Sequence, residues 1–197
     1  MGDWAPVAPG LAILAARFTW SAVRGTESAQ AIAFRGAWVR RVLSSAGMEI
    51  MAVQTVRNSM MAASLMTTSA ILALMGALTI GHAGLQPVRA GSWLDGAQLK
   101  VALPIALLAA CVVLFSKAVR LYHRSGYTLG LVHGESDLHA QAETSAISEL
   151  TRAARLYRSG WRAFYAAIAT AAWLVSPWLM LATTVVIVAL DAAAGVE

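Results

Sequence analysis

The residue types in this chain that could do chemistry are few, and one short run holds several of them. In His133-Gly134-Glu135-Ser136-Asp137-Leu138-His139 imidazoles alternate with carboxylates, a set of ligand types that could bind zinc or nickel in a suitable loop. The spacing matches no established metal site, and an exposed polar turn accounts for the same residues, so no metal is expected. A haem held by two histidines needs both imidazoles at one depth on facing helices, whereas His82 and His123, each just past the end of an apolar segment, lie toward opposite membrane surfaces. The single cysteine, Cys111, sits inside the apolar run from Leu103 to Phe115 with no thiol to pair with. The chain has no Gly-rich phosphate loop, zincin helix motif or Gly-x-Ser-x-Gly elbow. The expectation is a protein that is not an enzyme and carries no cofactor.

Arg17 is the other residue with chemical potential, because it interrupts an apolar segment. A guanidinium at mid-membrane costs at least about 2.5 to 3.5 kcal/mol. Arg17 precedes Arg24 by seven residues, which places it roughly 10 Å from that end of a helix. Snorkelling toward the nearer surface, or pairing inside a bundle, is the ordinary outcome for such a residue. The alternative is a transport role, with Arg17 and the hydroxyls of Ser64, Thr67, Thr68 and Ser69 lining a path. No acidic residue falls inside any of the long apolar segments, which argues against a proton relay.

The elements that must position these residues follow from composition. The chain has 197 residues, 58% apolar and 13% charged, too hydrophobic for an ordinary soluble domain and about the size of one domain. Crossing about 30 Å of hydrocarbon as a helix takes roughly 17 to 25 apolar residues. Four segments qualify, at about 5–23, 60–80, 101–119 and 164–190. The first is the weakest, since Pro6, Pro9 and Gly10 stand near its start. The last has no charged residue and bends, if anywhere, at Pro177. The fold class is therefore all-α, a single membrane domain over 1–197 built as a four-span transmembrane helix bundle.

Twelve of the fifteen Lys and Arg residues fall in the stretches 24–58 and 116–163, between these segments or at the end of the third. The positive-inside rule places both stretches in the cytoplasm of a bacterial inner-membrane, multi-pass protein. Four crossings then leave both termini periplasmic. A cleavable leader ending at Ala29-Gln30-Ala31 is disfavoured, because no basic residue stands ahead of Arg17. Val39, Val42, Leu43, Ala46, Ile50 and Val53 recur at helical spacing, as do Leu150, Ala154, Tyr157, Trp161, Phe164 and Ile168. Both read as amphipathic cytoplasmic helical extensions of the bundle, within cytoplasmic segments at about 24–58 and 120–163. The stretch 130–144 is the most polar and reads as a loop.

Two surfaces stand out. Trp38, Arg40, Arg41, Arg155, Arg158, Trp161 and Arg162 combine aromatic anchors with cations, suited to anionic lipid headgroups or to a partner subunit. Ser69, Ala73, Ala77 and Gly81, and separately Ala102, Ala106 and Ala110, form small-residue seams at four-residue spacing, the kind of surface on which membrane helices pack. The pI near 10 follows insertion rather than nucleic-acid binding, since the Arg residues flank apolar spans. Trp173 and Trp178 read as packing residues, with a lipid or quinone groove as the alternative.

The order of features resembles a bacterial integral membrane family catalogued as domain of unknown function five-nine-nine. The resemblance rests on Trp38-Val39-Arg40-Arg41, Asn58, Arg120-Leu121-Tyr122, and above all Gly160-Trp161-Arg162-Ala163-Phe164-Tyr165 leading to Trp173 and Pro177-Trp178. It covers roughly 30–190. Met60-Met61 replaces an aromatic pair, and Ser176 stands where similar proteins commonly have histidine. The family implies a four-helix membrane fold and no activity. The function that remains is a non-catalytic accessory, assembly or scaffold subunit of a larger membrane complex, joined to other membrane-protein subunits or to copies of itself. A small-solute transporter or channel acting as an oligomer is the alternative.

Overall fold

A computed structural model of the chain describes residues 5–24, 28–45, 47–84, 96–130 and 136–193. These residues form six α-helices and one short 3-10 turn, with no strand among them: α1 (Val7–Arg24), α2 (Ala29–Ser44), α3 (Glu49–Gly84), α4 (Gly96–Leu129), α5 (Ser136–Ala171), the turn Ala172–Leu174, and α6 (Pro177–Ala193). Two helices are long and apolar enough to cross a membrane, over Glu49–Gly81 and Gln98–Leu129. Only 11% and 22% of their most apolar windows are buried, so neither is enclosed by the described residues. Shorter apolar stretches occupy Val7–Arg17 and Pro177–Asp191.

The chain divides into two compact units. One comprises residues 1–26, 69–112 and 161–197, the other 27–68 and 113–160, so α3, α4 and α5 each contribute to both. The second unit encloses Val39, Val42 and Leu43 of α2, Ala52, Val56 and Ala63 of α3, Ala118, Tyr122 and Leu129 of α4, and Ala146, Leu150 and Ala153 of α5. The first encloses Val7, Trp173 and Met180, with Leu11, Leu14 and Leu99 against them.

The long helices share a seven-residue repeat of buried positions. On α4 the buried line is Pro104, Leu108, Cys111, Phe115, Ala118, Tyr122, Ser125 and Leu129, alternating steps of four and three. Small side chains at 111, 118 and 125 alternate with large ones at 108, 115, 122 and 129. On α5 Ala146, Ala153, Gly160 and Ala167 are buried seven apart, and on α3 Val56, Ala63 and Ala70. This is the 3.5-residue period of helices that pack knobs into holes, and small residues let such helices approach closely.

Two stretches depart from the sequence-based expectation. The amphipathic pattern expected to run from α2 into the second span is interrupted between Ser45 and Met48, where Gly47 has φ +87°, a left-handed conformation that glycine adopts without a Cβ penalty. The turn resets the helical phase: Ile50 and Val53 are exposed, while Ala52 and Val56 take the buried positions. The stretch expected to be a loop over 130–144 is helical from Ser136 onward, and residues 131–135 lie outside the described residues.

The larger departure concerns 164–190, which does not form one span. Helix α5 stops at Ala171, and Val175 and Ser176 both donate to the carbonyl of Ala172. Ser176 then caps α6, its hydroxyl accepting from the Trp178 amide at 3.3 Å, with Pro177 at the first helical position. Proline is favoured there because its missing N–H has no intrahelical acceptor. Helix α6 folds back along α5: Arg162, Tyr165 and Ala166 line the same cavity as Ile187, Val188 and Asp191. The segment is a helical hairpin whose two ends lie together.

Candidate functional site

The hairpin, joined by α1, gathers the charged residues of the first unit. Helix α1 runs parallel to α6: Val7 packs with Trp173 and Met180, Gly10 faces Leu181 and Thr184, and Arg17 reaches Asp191. A Cβ at Gly10 would lie 3.9 Å from the Leu181 Cα and 3.6 Å from the Met180 methyl group, ordinary van der Waals distances that show the two helices side by side there. Arg17 forms an ion pair with Asp191. The partner is a residue placed by sequence at the far end of a fourth span, and only the fold-back of α6 brings it to Arg17.

Leu14, Arg17, Arg162, Tyr165, Ala166, Ile187, Val188 and Asp191 enclose a half-open cavity of about 30 Å³. At about 10 to 15 Å³ for one water, this has room for about two water-sized groups. Its walls are aliphatic apart from two guanidinium groups, a carboxylate and a phenol. Trp161 lies against Tyr165 at 5.3 Å between ring centroids and edge-on to Phe164 at 6.1 Å. At the other end of this unit, Lys100 Nζ sits 5.6 Å from the Trp173 ring centroid, a cation–π distance. That contact levels the hairpin turn with the start of α4. Fourteen residues from Pro177 to Asp191 then place Asp191 about 21 Å from the turn at 1.5 Å per residue.

The second unit contains a separate set of charges. Glu149 is buried and accepts from Arg124 at 3.1 Å and from the Thr128 hydroxyl at 3.4 Å. Arg35 donates to the Thr151 hydroxyl at 3.4 Å, and Arg40 lies 3.7 Å from Glu143. These contacts join α2 and α4 to α5. Sequence reading missed Glu149 and Asp191, the two carboxylates that matter most here. Glu149 stands three residues before Arg152 in a cationic run, and that was its only signal.

The expected surface residues are distributed as follows. Trp38, Arg40, Arg41, Arg155 and Arg158 belong to the second unit, with Arg40, Arg41 and Arg155 exposed and Trp38 packed against the core. Trp161 and Arg162 belong to the first unit and are half-buried. Of the two seams, Gly81 is buried and a Cβ there would meet Val101 at 2.9 Å and Ile105 at 3.2 Å, while Ser69, Ala73 and Ala77 are half-buried. Ala102, Ala106 and Ala110 lie on the exposed side of α4. Trp173 is enclosed and Trp178 is exposed.

The hydroxyls considered for a transport path bond within their own helix, Thr67 to the Ala63 carbonyl at 2.8 Å and Thr68 to the Ser64 carbonyl at 3.2 Å. Of the metal-ligand types, His133 and Glu135 lie outside the described residues, as do the side chains of Asp137 and His139. His123 is exposed and meets the Tyr127 hydroxyl at 3.2 Å.

The fold and the charge arrangement define an all-α protein with two helices able to span a membrane and an arginine–aspartate pair between its first and last helices. The chain belongs to the family described as Protein of unknown function, DUF599, whose model matches residues 7–193. No curated protein and no solved structure matches it.

Proposed function

We propose that this protein is a non-catalytic, multi-pass protein of a bacterial inner membrane that serves as an accessory, assembly or scaffold subunit of a larger membrane complex. The observation that carries this reading is where the polar groups go. Arg17 and Asp191 brace α1 against α6, and Glu149, Arg124 and Thr128 brace α4 against α5. Charges that tie helices together favour a rigid support over a reaction centre.

Membrane insertion is supported by the large apolar side chains left outside. Leu65, Leu72, Met75 and Ile80 on α3, and Val175, Trp178, Val186 and Leu190 around α6, are exposed, while alanines such as Ala63, Ala118, Ala153 and Ala167 share the interior with larger residues such as Phe115 and Trp173. A patch of this kind is a liability in water, and in lipid it costs nothing. The positive-inside rule keeps 24–58 and 116–163 in the cytoplasm. Because α6 returns to the level of Arg162, the carboxyl-terminal end of the hairpin belongs on that same side. Helix α1 enters from the opposite side, level with the hairpin turn. This orientation keeps the amino terminus periplasmic and moves the carboxyl terminus from the expected periplasm to the cytoplasm. Anionic lipids on the inner leaflet are the expected contacts of the exposed arginines.

Purification in mild detergent followed by mass spectrometry of co-eluting proteins tests the role. Stoichiometric partner subunits are expected, and a lone monodisperse species overturns the accessory assignment. Recovery of the protein in the supernatant after high-speed centrifugation without detergent overturns membrane insertion itself.

A further inference from the structure

We infer that the outer face of the first two turns of α3 is a docking surface for an acidic amphipathic helix of a partner protein on the cytoplasmic side. The inference rests on the membrane reading above and goes further by giving the partner a place and a chemistry. Helix α3 has 36 residues and measures about 54 Å at 1.5 Å per residue, whereas the hydrocarbon is only about 30 Å thick. Much of the helix must stand in water, and Arg57, the last Asp, Glu, Lys or Arg along it, marks the end that does. Ile50 lies about 15 Å outside the start of the apolar stretch at Met60. The headgroup layer takes up about 5 to 8 Å of that distance, and a tilt of about 20° shortens it by only about 1 Å. Lipid therefore covers Leu65 and Leu72 but does not reach Ile50. Yet Ile50 is 76% exposed, and Met51 and Val53 beside it are exposed as well. Large apolar side chains left together in water mark an interaction surface. Ile50, Val53, Gln54 and Arg57 stand at i, i+3, i+4 and i+7, the register in which one helix lies along another.

Charge selects the occupant. The second unit holds ten Lys and Arg residues against six Asp and Glu, and two of those acids, Glu143 and Glu149, are already matched to Arg40 and Arg124. Arg41 and Arg57 are exposed, with no ion pair among the described residues. A second copy of the chain fits this face poorly, because a twofold axis along the membrane normal sets each Arg57 against its own equivalent, and like charges in apposition are disfavoured. A helix with an apolar stripe flanked by carboxylates satisfies the apolar residues and the cations together.

The test uses the full chain in nanodiscs of phosphatidylcholine, a lipid with no net charge, and a fluorescent helical peptide with leucines at the same register and glutamates flanking them. A twin peptide carries lysine in place of each glutamate, and binding is read by fluorescence anisotropy. The glutamate peptide should bind loaded discs at least about tenfold more tightly than its twin and more tightly than it binds empty discs. Ile50→Ser should weaken it about tenfold, the worth of one large buried apolar side chain, and Arg57→Gln up to about fivefold, as for one exposed charge. Both side chains are exposed, so neither change disturbs the interior. Leu72→Ala, on the lipid-facing part of the same helix, should leave binding unchanged. Equal binding of the two peptides, equal binding to empty discs, or indifference to Ile50→Ser overturns the assignment. Two chains per disc that become one on Ile50→Ser also overturn it, since a second copy would then be the occupant. A chain that never enters discs fails earlier, at insertion, and overturns the membrane reading itself, which separates the two failures.

Discussion

The ring of Phe115 lies where a side chain at position 160 would have to go: a Cβ on Gly160 would come within 2.6 Å of the Phe115 Cε1 atom. Phe115 is fully buried and also meets Tyr157 edge-on at 5.6 Å between centroids, so its ring has no free direction in which to retreat. Gly160→Ala should therefore destabilise the protein by about 1 to 3 kcal/mol, the usual cost of forcing extra atoms into a packed interior. Phe115→Leu should lose stability alone and recover part of the Gly160→Ala loss in the double variant, because contacting residues are not additive. Thermal unfolding in detergent across the four variants checks this; strict additivity would show that the ring does not set the requirement for glycine.

Two acidic residues of α5 in the second unit, Glu143 and Glu149, should respond differently to one chemical change. Glu149 is buried and held by Arg124 and Thr128, whereas Glu143 lies 3.7 Å from an Arg40 that is largely exposed. Glu149→Ala should cost about 1 to 3 kcal/mol through loss of a charged, buried acceptor. Glu143→Ala should change stability by less than about 0.5 kcal/mol, as exposed pairs do. Urea unfolding of the two variants side by side is the measurement, and equal losses would contradict the burial difference.

The turn of the hairpin should depend on Ser176. Its hydroxyl accepts from the Trp178 amide, and removing such a cap costs about 1 kcal/mol. Ser176→Ala should lower the unfolding temperature, while Ser176→Thr, which keeps an acceptor at the same place, should restore most of it. A loss of equal size in both variants would mean that packing around Pro177, not the cap, holds the turn.

Much of the helical architecture is legible in the residues, and the limits have a common physical cause. Most helix-forming segments and a bend at Pro177, though not the reversal of direction there, follow from local composition. The inner faces do not. On α5 the expected core line included Ile168, which is exposed, while Ala153, Gly160, Ala163 and Ala167 are enclosed. In water the larger apolar side chain belongs inside, but helices brought together by close approach bury the smaller one. The repeat of small residues at 146, 153, 160 and 167 carried this information at a seven-residue period. The four-residue spacing of Ala102, Ala106 and Ala110 marks the open side of α4 instead. The Arg17–Asp191 pair was illegible for another reason: it depends on α6 reversing direction, and an uncharged stretch of 27 residues satisfies a single tilted span equally well.

Reversal of α6 gives a topology that labelling can decide. Val175 at the hairpin turn is 80% exposed, and Ala193 at the end of α6 is exposed as well. Cys111, the one native thiol, is fully buried, so Cys111→Ser leaves a background on which single cysteines can be placed. With the basic stretches inside, a membrane-impermeant maleimide added to intact cells should label Val175→Cys and leave Ala193→Cys untouched until the membrane is opened. A straight fourth span would carry position 193 to the outer face and expose it to the reagent. Labelling of Ala193→Cys in intact cells would thus separate Arg17 from Asp191 in the membrane and remove both the hairpin and the cavity that it closes.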